Sequence, residues 1–201
     1  MSSHRILHLS DTHATATGLD GDGVNALGAL DQILRDCRHL TGLDLVVVSG
    51  DIADDGSAEG YALVRDRVGR FAAGRGIPHV YTTGNHDCRP GFTAVLGTGH
   101  RDARDADVGV LLDGLDGERA AVSMVSGLRV ITLDSLVPGS GHGLVSQAQL
   151  DALAAMLQPR PRPGRSWRCT TRRSTPRARH GRSAPVCATA TNSRPRSPVP
   201  T

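Results

Sequence analysis

Three short apolar runs constrain this chain more than any other feature: Arg5-Ile6-Leu7-His8-Leu9, Leu45-Val46-Val47-Val48 and Pro78-His79-Val80-Tyr81-Thr82. Two helical patterns separate them. From about Val24 to Leu40, residues Leu27, Leu30, Ile33, Leu34 and Cys37 share one face. Behind Ser57, whose hydroxyl suits a helix cap, Tyr61, Leu63, Val64, Val68 and Phe71 line a second helix that ends near Gly74. Strand–helix–strand–helix–strand predicts a sheet at least partly parallel, with helices on its faces. The unbroken run Leu45–Val48 fits a strand buried on both faces.

Downstream, the stretch from Asp87 to about Gly117 is polar and Gly-rich, and reads as a substrate-side loop with a little helix. Ala121–Val125 and Leu128–Leu133 are strands joined by Ser126-Gly127 as a hairpin. Ser146 opens a helix carrying Leu150, Leu153 and Leu157.

The chemistry lies at the ends of the first three strands. Asp11-Thr12-His13 follows the first, Gly50-Asp51 the second and Gly84-Asn85-His86-Asp87 the third. Open α/β sheets gather ligands outside the carboxyl ends of their parallel strands, so these residues should converge. Paired divalent metals about 3.5–4 Å apart need a bridging carboxylate, and accept carboxylate, imidazole and amide oxygen around it. Asp51 is the natural bridge, with Asp11 and His13 on one metal and Asn85 on the other. The glycines before Asp51 and Asn85 suit sharp strand-to-loop turns. Each motif alone occurs by chance in many proteins; the three in order, each closing an apolar strand, do not.

These motifs resemble the calcineurin-like metallophosphoesterase family. Arg5 through His13 is similar to its class III cyclic-nucleotide phosphodiesterase branch, as are Val130-Ile131-Thr132-Leu133-Asp134-Ser135 and Gly143 through Leu150. The likeness runs over residues 4–157. It implies an α/β fold, a layered β-sheet sandwich flanked by helices. It also implies two divalent metal ions (Mn, Fe or Zn) held by Asp11, His13, Asp51 and Asn85. His86 would contact the phosphate and help protonate the leaving oxygen, oriented by Asp87. The reaction implied is hydrolysis of a small phosphodiester, with a 3',5'-cyclic nucleotide as the favoured class, by metal-activated water and without a protein nucleophile.

The resemblance stops short of a complete site. The family also carries a histidine in a later strand, usually followed by prolines, and a final Gly-His-x-His. The later histidines here, His100, His142 and His180, lie outside such motifs and read as solvated loop residues. The charge changes at the same place. Residues 1–157 hold 12 Arg against 20 acids, a net −8, whereas 158–201 hold 11 Arg and no acid. All 23 basic residues are Arg, the mark of a GC-rich coding sequence. Read from the third base of GC-rich codons, Arg165 to Ser174 becomes V-V-A-L-H-H-P-P-V, an apolar strand ending in the missing His-Pro motif. A reading-frame slip between Leu157 and Arg165 is therefore expected. It divides the chain into a metallophosphoesterase domain lacking its C-terminal strands, 1–157, and a disordered Arg/Pro-rich tail, 158–201. On that reading at most one weak metal site remains, and the chain is inactive or nearly so.

Two further readings stand beside this one: an inactive pseudoenzyme, and an α/β body whose basic tail binds nucleic acid non-specifically. The tail has almost no aromatics for base stacking and no repeated motif, which argues against a selected nucleic-acid role. No apolar run approaches the length of a membrane span, and Met1-Ser2-Ser3-His4 leads into a strand without a signal-peptide pattern. Cys37, Cys88, Cys169 and Cys187 have neither zinc-site nor redox-motif spacing. A reduced, cytoplasmic setting is the expectation.

Overall fold

A computed structural model describes residues 3–20, 22–125 and 127–158. The segment from Pro159 onward, with the frame slip and tail expected there and with His180, lies outside the described residues.

The first half alternates as expected: β1 (Ile6–Ser10), α1 (Ala26–Asp36), β2 (Leu45–Ser49), α2 (Ala58–Ala73) and β3 (His79–Thr82). Asn25 starts α1 by accepting the Gly28 N–H, a cap the apolar pattern alone did not reveal, and Ser57 caps α2 through Gly60. The β1–β2 and β2–β3 pairings are parallel. A short helix follows, α3 (Arg89–Leu96), and then a two-residue strand, β4 (His100–Arg101), which runs antiparallel to β3 and completes the order β1-β2-β3-β4. A second, antiparallel sheet contains β5 (Val110–Leu111), β6 (Ala121–Val125) and β7 (Leu128–Thr132), followed by α4 (Gln147–Leu157). Gly127, at φ +77°, closes the expected β6–β7 hairpin.

Side-chain alternation along the central strands builds two cores. Val46, Val48 and Tyr81 pack with Leu27, Leu30, Leu34, Val64 and Val68 of the two helices. Leu45, Val47 and Val80 point the other way and meet Val125 and Val130 of the second sheet. The layers are thus helices, sheet and sheet, the sandwich that the resemblance implied. Among the described residues β1 pairs only with β2, and Ile6 is 47% exposed.

One expectation is corrected by the packing. His100 is not a solvated loop residue but is fully buried, with its two ring nitrogens 2.6 Å from Ser123 Oγ and 2.9 Å from Thr132 Oγ1. It bridges the sheets, because two hydroxyls on β6 and β7 satisfy both nitrogens of the imidazole on β4. His142, by contrast, is exposed and bonded to Ser140.

Burial, only partly opposed by Asp107, lowers the His100 pKa from 6.5 to about 4. Burial likewise lowers His79 to about 4, with Asp105 opposing and Arg101 assisting. The folded state therefore keeps both rings neutral where the unfolded chain protonates them. Stability present above pH 6.5 is lost as pH falls toward 4, by about 2 kcal/mol per histidine at pH 5. Thermal denaturation at pH 7.5 and pH 5 should show this drop, and His100→Gln should remove about half of it.

Candidate metal centre

The loops after β1 and β2 continue to pair beyond the strands. The Asp11 N–H donates to Gly50 O, His13 N–H to Asp51 O and Ala14 N–H to Ile52 O, at 3.2, 2.8 and 3.0 Å. Thr12, buried, adds a side-chain bond to Ile52 O. This lateral pairing sets Asp11, His13 and Asp51 side by side. Each of the three has a positive φ, +56°, +40° and +44°, a conformation costing non-glycine residues of order 1–3 kcal/mol. Three strained residues in one cluster mark a place where the fold holds side chains for chemistry rather than for stability.

Ligand atoms of Asp11, His13 and Asp51 lie within 4.8 Å of one another. His13 Nε2 stands 3.9 Å from Asp51 Oδ2, too far for a hydrogen bond and a few tenths of an ångström wider than the roughly 3.4 Å between two ligands about 2.1 Å from one tetrahedral ion. The other ring nitrogen, Nδ1, donates to Asp54 Oδ1 at 2.9 Å. A carboxylate behind the imidazole fixes its tautomer and turns the Nε2 lone pair toward the ion. Two carboxylates and an oriented imidazole fit a divalent cation.

Asp54 escaped the sequence reading, and its only signal was its place three residues after Asp51. It also receives the second imidazole: His86 Nδ1 lies 3.2 Å from Asp54 O and 3.2 Å from Asp54 Oδ1. The rings of His13 and His86 meet edge-on, centroids 4.9 Å apart. His13, Asp54 and His86 form a second cluster of donors, but the short His13–Asp54 contact is a hydrogen bond whose proton an ion there would have to displace. The cluster with Asp51 is the better cation site.

The role expected of Asp87 is corrected. It does not touch the His86 ring; its buried carboxylate accepts the N–H groups of Ile52, Ala53 and Gly84. Burial raises its pKa to about 6 against those three bonds. Asp87 thereby ties the loop after β2 to the loop after β3. The His86 N–H completes the tie by donating to Asp51 Oδ1 at 2.9 Å. Asn85 lies half-buried in this loop, between the two residues whose N–H groups reach Asp87 and Asp51.

The two glycines have different reasons. Gly50 has a φ of +72°, as a sharp turn requires. Gly84 has no such φ; a Cβ there would collide with the backbone nitrogen and carboxylate of Asp51, so close approach is its constraint.

A residue just past β7 pins this loop from outside. Asp134, its carboxylate wholly buried, accepts from Thr83 Oγ1 at 2.8 Å and from Arg89 Nε at 2.6 Å. These are the residues that flank Gly84 through Cys88. Burial pushes the Asp134 carboxyl up, but the bonds from Arg89, the Arg119 N–H, Thr83 and the Leu136 N–H outweigh it and hold the pKa below the usual carboxylate range. Gln149, the one fully buried residue of α4, in turn holds the Asp134 backbone at both N–H and C=O.

With this geometry in place, likeness to known proteins becomes informative. Residues 4–163 match the calcineurin-like phosphoesterase family, and the chain belongs to it. It is 36% identical to a probable cyclic nucleotide phosphodiesterase of Rhodococcus erythropolis, over 77% of this chain and 47% of that protein. It is 35% identical to a cAMP/cGMP dual specificity phosphodiesterase of Mycobacterium tuberculosis, over 76% of this chain and 44% of that protein. A 3',5'-cyclic adenosine monophosphate phosphodiesterase of Escherichia coli is 31% identical, over 78% and 51%. The chain spans about half the length of these relatives. No helix among the described residues is long and apolar enough to cross a membrane.

Two measurements check the centre. Asp51→Asn keeps an acceptor for the His86 N–H and tolerates the left-handed backbone, but removes one of two crowded negative charges. Its metal-free melting temperature should equal or exceed that of the parent, while the Mn²⁺-induced rise expected of the parent should disappear. Asp134→Asn leaves Arg89 without its buried counter-charge and should cost about 3–5 kcal/mol, read by urea unfolding.

Proposed function

We propose that this chain carries one side of the metal centre of a phosphodiesterase, and that its substrate class is a 3',5'-cyclic nucleotide. The observation that carries the reading is the strained trio Asp11, His13 and Asp51, with His13 backed by Asp54. The names of the relatives support the substrate class. On this reading Asp51, Asp11 and His13 hold a divalent cation, and Asn85 contributes an amide oxygen beside them. A divalent cation bound there supplies Lewis-acid polarisation of a phosphoryl oxygen and lowers the pKa of water toward neutrality.

The remaining work falls to His86. Asp54 accepts from its Nδ1, which leaves Nε2 without a protein partner among the described residues on a side chain that is 36% exposed. An imidazole held this way can bond to a phosphate oxygen and deliver a proton to the leaving oxygen. Asp87 keeps the two loops in register, so the distance between His86 and Asp51 does not drift.

We further propose that the donors on this chain make a weak centre. Asp11, His13, Asp51 and Asn85 include a single imidazole, and Asn85 is neutral, so two ions would be poorly neutralised and poorly held.

Phosphodiesterase assays on the full chain with cyclic AMP and bis-p-nitrophenyl phosphate, each with Mn²⁺, test both statements. Slow turnover that requires Mn²⁺, is lost in Asp51→Asn and falls about 10²–10⁴-fold in His86→Ala is expected. Turnover unaffected by Asp51→Asn would sink the site assignment. Turnover equal to that of a full-length relative would sink the weak-centre proposal.

A further inference from the structure

A concavity lies away from the candidate metal centre. Helices α1 and α2 return antiparallel to the strands they connect, so their last turns sit at the end of the sheet opposite the strand-end loops. There a cleft of about 260 Å³ opens between the helices, lined by Arg35 and Arg38 on one side and Arg67 and Arg70 on the other. Leu34 and Phe71 form its floor, and Asp31 is its one acid.

Four of the 12 arginines among residues 1–157, a segment with a net charge of −8, thus line one small cleft. Helix-end electrostatics explains part of this: Arg35 and Arg70 lie in last turns, where cations complement the macrodipole. Arg38, in the 3₁₀ turn that follows α1, is of the same kind; Arg67 is not, and turns into the same cleft one turn before Arg70. Nor does internal pairing absorb the charge. Asp31 accepts from Arg67 Nε at 3.0 Å and Arg35 bonds to Gln32, a neutral partner. The side chains of Arg38 and Arg70 have no hydrogen-bond or ion-pair partner among the described residues, and both are exposed. Arg75, stacked 3.7 Å over the Phe71 ring, donates to the backbone carbonyls of Phe71 and Arg38 and so stiffens one wall.

We infer that this α1–α2 cleft is an anion site for a phosphoryl group of about pyrophosphate size, separate from the metal centre. Guanidinium forks match phosphate oxygens in pairs, and two of the four are already held in place by bonds of their own. The cleft is smaller than the roughly 300–1,000 Å³ that enclose whole organic ligands, so it fits the charged group rather than a complete nucleotide. Inorganic pyrophosphate and the phosphate of a nucleotide share this chemistry. The inference does not rest on the phosphodiesterase reading, because none of the metal donors lines the cleft.

Titration calorimetry on the full chain in EDTA at low salt, with inorganic pyrophosphate as probe and AMP in parallel, tests it. A saturable one-to-one component, over and above what the Arg-rich segment binds, is expected, weakening as salt rises. Arg38→Gln/Arg70→Gln should weaken it at least tenfold, while Asp51→Asn leaves it unchanged. The Arg-rich segment beyond residue 158 contributes equally to parent and variant, so their difference reads the cleft. Tighter binding of AMP than of pyrophosphate assigns the site to nucleotide phosphates, and the reverse assigns it to the inorganic anion. Equal affinity in parent and double variant, or loss of binding in Asp51→Asn, overturns the inference.

Discussion

The buried carboxylate of Asp87 is the interaction on which the metal centre depends. By accepting Ile52 and Ala53 N–H from one loop and Gly84 N–H from the next, it converts two separate strand ends into one surface. Without it, three buried backbone donors would be orphaned at the point where the chain must also hold Asp51 in a left-handed conformation. An unsatisfied buried donor costs about 1–3 kcal/mol, and strain of this kind a similar amount. Asp87 therefore does structural work that makes the strained trio tolerable. This accounts for a carboxylate among the site motifs that touches neither the expected ion nor the imidazole.

From that brace the rest follows outward in two shells of hydrogen bonds. Asp54 fixes both imidazoles, so the pair His13 and His86 is oriented by one residue although the two come from different loops. Asp134 then fixes the loop of His86 from its two flanks, through Thr83 and Arg89. Its own position is set by Gln149, which anchors α4 to the end of β7. A single helix residue in the second half of the chain thus reaches the loop of His86 through a carboxylate and two partners. The Val130–Ser135 and Gly143–Leu150 stretches, which in sequence carry only a resemblance, have a physical purpose here: they build the support for the third motif.

How much of this was legible follows the length scale of each signal. The convergence of Asp11, His13 and Asp51 could be read because short apolar runs located the strands, and a motif at a strand end has only one place to go. The partner of His86 could not be read, because whether Asp54 or Asp87 reaches the ring depends on how the two loops turn after leaving the sheet. Gly84 was recognised as necessary but for the wrong reason: a residue can need to be glycine because of what approaches it, and sequence shows only its own backbone. His100 was misread because β4 has two residues, too few for any period, and its partners Ser123 and Thr132 come 23 and 32 positions later. Local polarity made it look solvated; two distant hydroxyls make it core.

The arginine cleft obeys the same rule in a form that sharpens it. Arg35 and Arg38, like Arg67 and Arg70, are three residues apart, so each pair lies on one helix face by periodicity alone. Either pair read singly is an ordinary solvated face. What creates a concave cationic surface is the packing of α1 against α2, which is driven by Leu27, Leu30, Leu34, Val64 and Val68, with the Asp31–Arg67 ion pair as a polar contact across it. The apolar stripe that builds the core also decides which charged residues face each other across the groove. Like charges brought together this way repel by an amount that solvent screens but does not abolish, and a bound anion would relieve it. The core thus determines the location of both sites: at one end of the sheet it aligns the strand ends that bear acids, and at the other it aligns the helix ends that bear arginines.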